Sequence, residues 1–219
     1  MTTGVTTGVK ICGITRLEDG LAALDAGAVA LGFVLAEGSP RELDAAAARS
    51  LVSALRAAAP RPFEAVAVLG TCDPPTAREA LTAHGFDRVQ IHGAGSGGEL
   101  AHALLALGEL AQRAWGAVRV KDAASFEGLA GAVCEAFLLD RHSETALGGT
   151  GEPFDWGVAV PFAARHRIVL AGGLRAENVA AAIRRLHPWR VDVSSGVEDA
   201  PGIKSAAKIR AFVEAAHHA

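Results

Sequence analysis

The chain alternates between short runs of β-branched and aliphatic residues and longer stretches rich in alanine and leucine. Eight short runs, none longer than seven residues, have the length of buried strands. They cover residues 9–14, 30–35, 64–70, 88–92, 117–121, 136–140, 167–173 and 190–195. The stretches between them carry apolar residues at helical spacing, although the fifth is weak and the sixth, at 155–163, is short. This alternation predicts βαβ units that share a parallel sheet.

The length of the chain favours a closed sheet over an open one. Dividing 219 residues among eight units gives about 27 residues each, close to the ~30 that a βαβ unit needs. A minimal (β/α)8 TIM barrel fits that length, whereas an open doubly wound sheet of this size would use fewer strands. We therefore expect an α/β fold in which residues 9–219 form a single barrel with eight parallel strands, preceded by a flexible leader at 1–8.

Composition excludes several classes of protein. Half of the residues are apolar and 21% are charged, which argues against disorder. The net charge of −3 gives no general affinity for nucleic acid. The three cysteines lie about sixty residues apart, so neither a disulfide framework nor a metal site is expected. Without a signal sequence or a membrane-spanning apolar run, we expect a cytoplasmic protein with no nucleic-acid or membrane partner.

Polar residues occupy every second position of several predicted strands, which places them inside the barrel. The pairs on one face are Lys10 and Cys12, Gln90 and His92, Leu138 and Asp140, and Asp192 and Ser194. Buried polar groups are costly unless they are paired or used in function. Because strands one and eight are neighbours in a closed barrel, Lys10 and Asp192 are predicted to form an internal ion pair.

Glycines cluster where barrels of this kind bind phosphate, after the last strands. Sequences rich in glycine follow strand six at 148–151, strand seven at 171–174 and strand eight at 194–198. Glycine lets backbone N–H groups approach an anion, and active sites lie at this end of the barrel. The candidate phosphate contacts are Gly149, Thr150, Gly151, Ala171, Gly172, Gly173, Ser195 and Gly196.

Residues suited to proton transfer lie at the same predicted strand ends. Cys12 ends strand one and Asp140 ends strand six, so a phosphate-anchored molecule would lie between a thiol and a carboxylate. Arg41, in the loop after strand two, offers a planar fork suited to a carboxylate. His92, at the end of strand four, is a further candidate substrate contact. The residues alone therefore predict a phosphate-binding barrel that performs acid–base chemistry.

Motifs from the first predicted strand to the eighth together resemble the phosphoribosylanthranilate isomerase family. They are KICGI at 10–14, GF followed by SPR at 32–41, VQIHG at 89–93, LLD at 138–140 with GGTG and FDW at 148–156, LAGGL and ENV at 170–179, and DVSSGVE followed by PGIK at 192–204. No single motif is specific, but the ordered set covers essentially the whole chain. The chain departs from the family by lacking tyrosine and by carrying AGSGG directly after VQIHG.

The resemblance implies an isomerase of tryptophan biosynthesis that works without cofactor or metal. N-(5-phosphoribosyl)anthranilate would become 1-(2-carboxyphenylamino)-1-deoxyribulose 5-phosphate by an Amadori rearrangement. By the same resemblance, Asp140 is the general acid that protonates the ribose ring oxygen, and Cys12 is the general base that takes the C2′ proton. Arg41 would hold the anthranilate carboxylate, and the glycine loops would bind the phosphate. The expected partner is this small phosphosugar, bound by a monomer or homodimer.

Three alternatives belong to other classes or other substrates. Gly93, Gly95 and Gly98 spell the G-x-G-x-x-G of a dinucleotide site, which would indicate an NAD-linked oxidoreductase. The aldose–ketose isomerase of histidine biosynthesis, or a dual-substrate relative, has a similar architecture but carries Asp at the position of Cys12. A noncatalytic phosphate-metabolite binder would bind the product without turnover.

Overall fold

A computed structural model of the protein, which describes residues 7–141 and 155–219, contains a closed barrel of eight parallel strands. Each strand pairs with the next along the chain, and the eighth pairs with the first, where Lys10 lies opposite Asp192. The predicted TIM barrel is therefore confirmed. In this topology the carboxyl ends of all eight strands meet at one rim.

The observed strands agree with the eight predicted runs and differ mainly in their ends. They are β1 (Gly8–Cys12), β2 (Ala30–Val34), β3 (Glu64–Leu69), β4 (Arg88–Ile91), β5 (Ala114–Val120), β6 (Ala136–Arg141), β7 (Ile168–Leu170) and β8 (Arg190–Val193). The largest differences are that β5 begins at Ala114 instead of 117 and that β7 ends at Leu170 instead of 173. The first residues of β5, Ala-Trp-Gly, lack the β-branched signal, yet Trp115 fills the barrel and Gly116 leaves room for leucines of the fourth helix.

Seven α-helices lie in the part of the chain that the structure describes. They are α1 (Leu17–Ala26), α2 (Ala45–Ala58), α3 (Pro74–Thr82), α4 (Gly97–Leu107), α5 (Val160–Ala163), α6 (Ala176–Leu186) and α7 (Ala206–His217). The sixth unit has a short helix, as predicted. The eight-helix expectation is wrong for the fifth unit, where only a 3-10 turn forms at Ala123–Phe126. Glycines at 128 and 131 adopt positive φ there and end any helical run.

Two layers of core hold the barrel together. Most apolar side chains fill the space between the strands and the helices around them. Inside the barrel, a smaller cluster around Trp115 and Leu138 is closed by the Lys10 side chain, which is fully buried. Lys10 Nζ lies 3.0 Å from Asp192 Oδ2 and 2.8 Å from Gln90 Oε1. The predicted internal ion pair is therefore confirmed, and Gln90 contributes to it.

The amino-terminal end of the barrel is closed by a ring of ion pairs and aromatic side chains. Arg190 of β8 donates two hydrogen bonds to Glu64 of β3, at 2.6 and 3.0 Å. Its guanidinium also lies over Trp189, 3.9 Å from the ring centroid. Arg88 and Trp115 both donate to Glu135 next to β6. We call these six residues the basal ring. Because they close this end of the barrel, a ligand can bind only at the opposite end.

A short hairpin follows β8 on the carboxyl-end rim. Its strands, β9 (Glu198–Ala200) and β10 (Ile203–Lys204), pair antiparallel before α7 begins. Thr15 Oγ1 donates to the Gly202 carbonyl at 2.6 Å, and the Lys204 N–H donates to Asp19 at 3.1 Å. These bonds hold the hairpin, called here the βα8 hairpin, against the segment after β1.

No helix within the described ranges is long and apolar enough to cross a membrane.

Candidate functional site

The predicted acid–base residues lie on the same rim of the barrel. Cys12 is the last residue of β1, Asp140 is the penultimate residue of β6, and His92 directly follows β4. The candidate residues Ala171, Gly172 and Gly173 follow β7, while Ser195 and Gly196 follow β8. Gly149, Thr150 and Gly151 lie outside the described residues. Apart from Arg41, which lies farther along the loop after β2, the candidates that can be located occur at or just beyond the carboxyl ends of the strands.

The Cys12 thiol is buried between β1 and β2. A Cβ placed on Gly32 would lie 2.8 Å from Cys12 Sγ and 2.9 Å from Lys10 Cε, so this glycine provides space for both side chains. Burial raises the pKa of the thiol above its ordinary value, and the positive charge of Lys10 opposes that rise. Cys12 is therefore a thiol at rest, with a cation nearby that favours its ionised form.

Asp140 is set up as an acid that is only partly ionised near neutral pH. Burial raises its pKa to about 6, against the effect of the Arg141 N–H, which donates to Oδ1 at 2.8 Å. The charge of Asp192 adds to the rise and that of Lys10 lowers it. Cys12 feels the same two charges, so the thiol and the carboxyl flank one buried ion pair.

The loop after β7 lies directly against this acid. A Cβ on Gly172 would come within 2.9 Å of Asp140 Oδ1 and 2.4 Å of the Arg141 nitrogen, and its φ of +82° is one that glycine adopts readily. The loop after β8 is equally close to its neighbour, because a Cβ on Gly196 would lie 2.2 Å from the Leu174 carbonyl oxygen. These two glycine loops therefore form one continuous surface beside Asp140.

Burial keeps His92 neutral, and a chain of hydrogen bonds determines which ring nitrogen carries the proton. Lys10 Nζ donates to Gln90 Oε1, which leaves the Gln90 amide NH2 facing His92 Nε2 at 2.6 Å. An amide donor requires an unprotonated Nε2, so the ring proton belongs on Nδ1. Burial, followed by the charges of Lys10 and Arg119, lowers the pKa of His92 to about 4. At neutral pH this side chain can accept or donate a hydrogen bond but carries no charge.

Arg41 occupies a different environment from the open fork that its sequence context predicts. Its Nε and Nη2 donate to both carboxylate oxygens of Glu198, at 2.8 and 2.6 Å. Its aliphatic stem packs on Gly13, where a Cβ would lie 2.4 Å from Arg41 Cδ. One edge of the guanidinium is therefore occupied by a residue of this chain. Glu198 stands in the DVSSGVE motif, but nothing in its spacing indicated a contact with Arg41.

Arg119 is a second residue of the rim that sequence reasoning missed. It is the register partner of Asp140 and lies on β5 two positions after Ala117, which belongs to the interior cluster. Its charge lowers the pKa of both Asp140 and His92. The alternation Trp115, Ala117, Arg119 contained the signal, and it was hidden because β5 was predicted to begin at 117.

This arrangement is suited to two proton transfers on one anchored molecule. A carboxyl with a pKa of about 6 and a thiol beside a lysine both lie within electrostatic range of the buried Lys10–Asp192 pair. The glycine loops after β7 and β8 offer backbone N–H groups to an anion. Among residues 7–141 and 155–219, no group of three His, Cys, Asp or Glu side chains could hold a metal ion.

Comparison with known proteins gives consistent matches over nearly the whole chain. The family model described as N-(5'phosphoribosyl)anthranilate (PRA) isomerase matches residues 9–215. A protein of that name from Pelobacter propionicus is 48% identical over 209 residues, covering 95% of this chain and 94% of the relative.

Solved structures of the same name match equally completely. The crystal structure of phosphoribosyl anthranilate isomerase from Thermotoga maritima has a TM-score of 0.84 and 34% identity, with coverage of 97% and 100% of the two chains. Another, in complex with reduced 1-(o-carboxyphenylamino)-1-deoxyribulose 5-phosphate, has a TM-score of 0.79 and 31% identity, with the same coverage. Because these matches agree from β1 to α7, the chain belongs to the N-(5'-phosphoribosyl)anthranilate isomerase family of enzymes.

Proposed function

We propose that this enzyme converts N-(5'-phosphoribosyl)anthranilate to 1-(2-carboxyphenylamino)-1-deoxyribulose 5-phosphate, an Amadori rearrangement of tryptophan biosynthesis, with Asp140 as general acid and Cys12 as general base. The observation that carries the proposal is the buried Asp140 carboxyl, whose pKa of about 6 keeps part of it protonated at neutral pH. It lies on the same rim as a thiol beside a lysine, in a chain of this family.

The first step is opening of the ribose ring. Asp140 donates its proton to the ring oxygen as the C1′–O bond breaks, and the nitrogen lone pair forms the C1′=N bond of a Schiff base. Burial raises the pKa of Asp140 and so keeps part of it protonated near neutral pH, and the ring oxygen becomes basic enough to accept the proton as the C1′–O bond breaks. The bond to the Arg141 N–H stabilises the carboxylate that results.

The second step removes a proton from carbon. Cys12, as thiolate, takes the C2′ proton, and the electron pair moves to the iminium nitrogen to give an enolamine. The enolamine then tautomerises to the ketone product. The nearby Lys10 charge favours the thiolate, and the cationic Schiff base makes the C2′ proton more acidic.

Two anion contacts would hold the substrate during both steps. The phosphate would bind the backbone N–H groups of the loops after β7 and β8, with Gly149, Thr150 and Gly151 as further candidates. Arg41 would bind the anthranilate carboxylate through its Nη1 and Nη2 atoms, since Glu198 engages Nε and one N–H of Nη2. His92, which burial keeps neutral and which is hydrogen-bonded to Gln90, would contribute a hydrogen bond and no charge.

The other substrates and classes considered above have less support. The G-x-G-x-x-G pattern leads into α4 of a closed barrel and not into the first helix of an open dinucleotide-binding sheet, which disfavours NAD chemistry. A thiol at position 12, where the histidine-pathway isomerase carries Asp, favours the anthranilate substrate. We also propose a cytoplasmic enzyme that acts as a monomer or homodimer.

The function is tested by the loss of anthranilate-type fluorescence when the purified enzyme meets freshly generated phosphoribosylanthranilate. We expect rapid loss with the parent enzyme and little with Cys12→Ala. If the variant retains activity within about tenfold of the parent, a barrier change of only ~1.4 kcal/mol, Cys12 is not the base. If neither protein accelerates the loss, the substrate assignment is wrong, and the histidine-pathway aminoaldose is the next substrate to assay.

A further inference from the structure

Glu198 holds one edge of the Arg41 guanidinium from a position far away in the chain. Arg41 lies in the loop after β2 and Glu198 begins the βα8 hairpin, 157 residues later. The pair is bidentate, with distances of 2.8 Å from Nε and 2.6 Å from Nη2. The Glu198 side chain is only 5% exposed and that of Arg41 is 20% exposed. A bidentate pair of this kind fixes the plane of the guanidinium as well as its position.

Glu198 is itself anchored, so it does not act as a loose stand-in for a substrate carboxylate. Lys204 Nζ donates to Glu198 Oε1 at 2.7 Å, and the Gly202 N–H reaches the same oxygen at 3.3 Å. Burial alone would raise the pKa of Glu198, but the hydrogen bonds from Arg41 and Lys204 outweigh it and lower the pKa. A carboxylate with four donors stays ionised and stays in place when a ligand arrives.

The remaining edge of the Arg41 guanidinium carries N–H donors that Glu198 does not use. Nε and one N–H of Nη2 are used by Glu198, which leaves both N–H groups of Nη1 and one of Nη2. Within the described ranges, Nη1 makes no hydrogen bond to protein. The Arg41 guanidinium also lies within electrostatic range of the Cys12 sulfur. This edge therefore remains available for a carboxylate close to the proposed base.

The same hairpin connects Arg41 to the proposed phosphate loop. Glu198 directly follows the 3-10 turn of Ser195–Val197. Lys204, which holds Glu198, also contacts the Ser194 carbonyl and hydroxyl oxygens at 3.3 Å each. The position of Arg41 relative to the loop after β8 is thus set by one short run of side-chain bonds.

We propose that Glu198 is a positioning residue that fixes Arg41 relative to the phosphate loop, and so makes the enzyme selective for substrates that carry a carboxylate on the aromatic ring. This rests on the proposed function, in which Arg41 binds that carboxylate. Glu198 acts through Arg41 and does not touch the ligand. Its contribution is to hold the guanidinium in the orientation that presents Nη1 and Nη2 as a fork.

The test compares two stable ligands, reduced 1-(o-carboxyphenylamino)-1-deoxyribulose 5-phosphate and its analogue without the ring carboxylate. In Glu198→Gln, Arg41 loses its bidentate partner, and we expect Kd for the carboxylated ligand to rise about tenfold or more. The Kd for the analogue should change less than about twofold, because the analogue makes no use of the Arg41 fork. Glu198→Asp, which keeps the charge but is too short to hold both Arg41 and Lys204, should show the same selective loss.

The matched control is Glu64→Gln, which removes a comparable bidentate Arg–Glu pair, that with Arg190, at the opposite end of the barrel. We expect it to lower stability without changing either Kd. Equal weakening of both ligands by the Glu198 variants, or no weakening in a folded Glu198→Asp, would overturn the proposal.

Arg41→Ala separates this inference from the proposed function. If the parent enzyme does not turn over phosphoribosylanthranilate, the proposed function fails. The positioning role alone is overturned by a different result. In that result the parent and the Glu198 variants bind the carboxylated ligand more tightly than the analogue, whereas Arg41→Ala binds the two ligands equally. Arg41 would then hold the carboxylate independently of Glu198.

Discussion

At the scale of single residues, burial decides the chemistry of this site more than residue type does. The same Asp that would be fully ionised on the surface has its pKa raised to about 6 inside the rim, and a histidine nearby has its pKa lowered to about 4. Both shifts disfavour charge in a buried setting that already contains the Lys10–Asp192 pair. The enzyme therefore keeps a minor fraction of this acid protonated at neutral pH, at some cost in stability.

That cost predicts a stabilised but inactive variant, Asp140→Asn. Because the folded-state pKa lies above the unfolded value of 3.8, the ionised carboxyl destabilises the fold above pH 6 and is nearly neutral in effect below pH 4. Asn keeps the shape and the acceptor for the Arg141 N–H. We expect it to be more stable than the parent by about 1–3 kcal/mol at pH 7.5, with a smaller difference at pH 4.

Urea unfolding at the two pH values measures this difference, and the fluorescence assay measures the loss of turnover. A variant that is less stable than the parent at pH 7.5 would contradict the buried, destabilised acid. A variant that keeps turnover within about tenfold would remove Asp140 from the acid role.

At the scale of elements, the loops after the strands position the candidate catalytic residues. Glycines in the loops of this protein are required either for backbone conformation or for close contact with a neighbour. Gly172 has both positive φ and close contact with Asp140, whereas Gly85 has a similar φ of +74° but no atom within 4 Å of the point where a Cβ would lie. The two positions share backbone strain and differ in contact. They therefore separate the effect of conformation from the effect of proximity to the acid.

Gly172→Ala should lower both stability and kcat, and Gly85→Ala should lower stability alone. The strained φ costs about 1 kcal/mol at each position, and at position 172 the added methyl group must displace Asp140 or the Arg141 nitrogen. We expect kcat to fall at least about tenfold only for Gly172→Ala, since small displacements of reacting groups are costly. Equal kcat values for the two variants in steady-state assays would show that the loop tolerates movement beside Asp140.

At the scale of the whole molecule, the two ends of the barrel divide stability and chemistry between them. The basal ring links β3, β4, β5 and β8 to the residue before β6 through Glu64, Arg88, Trp115, Arg190 and Glu135, whereas the opposite rim carries the candidate catalytic residues. The burial of Lys10 between the ends prevents the interior from being an open channel.

Loss of the basal ring should therefore reduce stability and leave catalysis unchanged. Glu64→Gln removes the partner of Arg190, and we expect a loss of about 1–2 kcal/mol at pH 7 with kcat and KM within about twofold of the parent. The pKa of Glu64 is lowered because hydrogen bonds and charges from Arg190 and Arg88 outweigh its burial, which alone would raise it. Its contribution is therefore present above pH 4.5 and is lost as pH falls through the lower folded-state value.

Thermal unfolding of parent and variant at pH 7 and pH 3.5 checks this prediction. The difference between the two proteins should shrink at the lower pH. A variant with an altered KM would show that the basal ring influences the distant rim.

The barrel, the internal ion pair and the rim that carries the candidate catalytic residues could all be predicted from the amino-acid sequence. Strand alternation fixes which side chains point inward, and closure of a parallel sheet brings Lys10 opposite Asp192 and all carboxyl ends to one rim. These are consequences of local periodicity and chain order, which a sequence displays directly. The start of β5 differs from the prediction because Gly116 serves helix packing within that strand. The fifth unit lacks the predicted α-helix because Gly128 and Gly131 form turns there.

The contacts of each rim residue could not be predicted in this way, because they depend on how the elements pack in three dimensions. The Arg41–Glu198 pair joins residues 157 positions apart. The neutral state of His92 depends on its burial, and its tautomer depends on a hydrogen-bond chain that starts on another strand. The raised pKa of Asp140 sums burial by several elements with the charges of three other residues. Hydrogen-bond partners and desolvation depend on distances in space, and a linear pattern with a period of two or 3.6 residues carries no information about them.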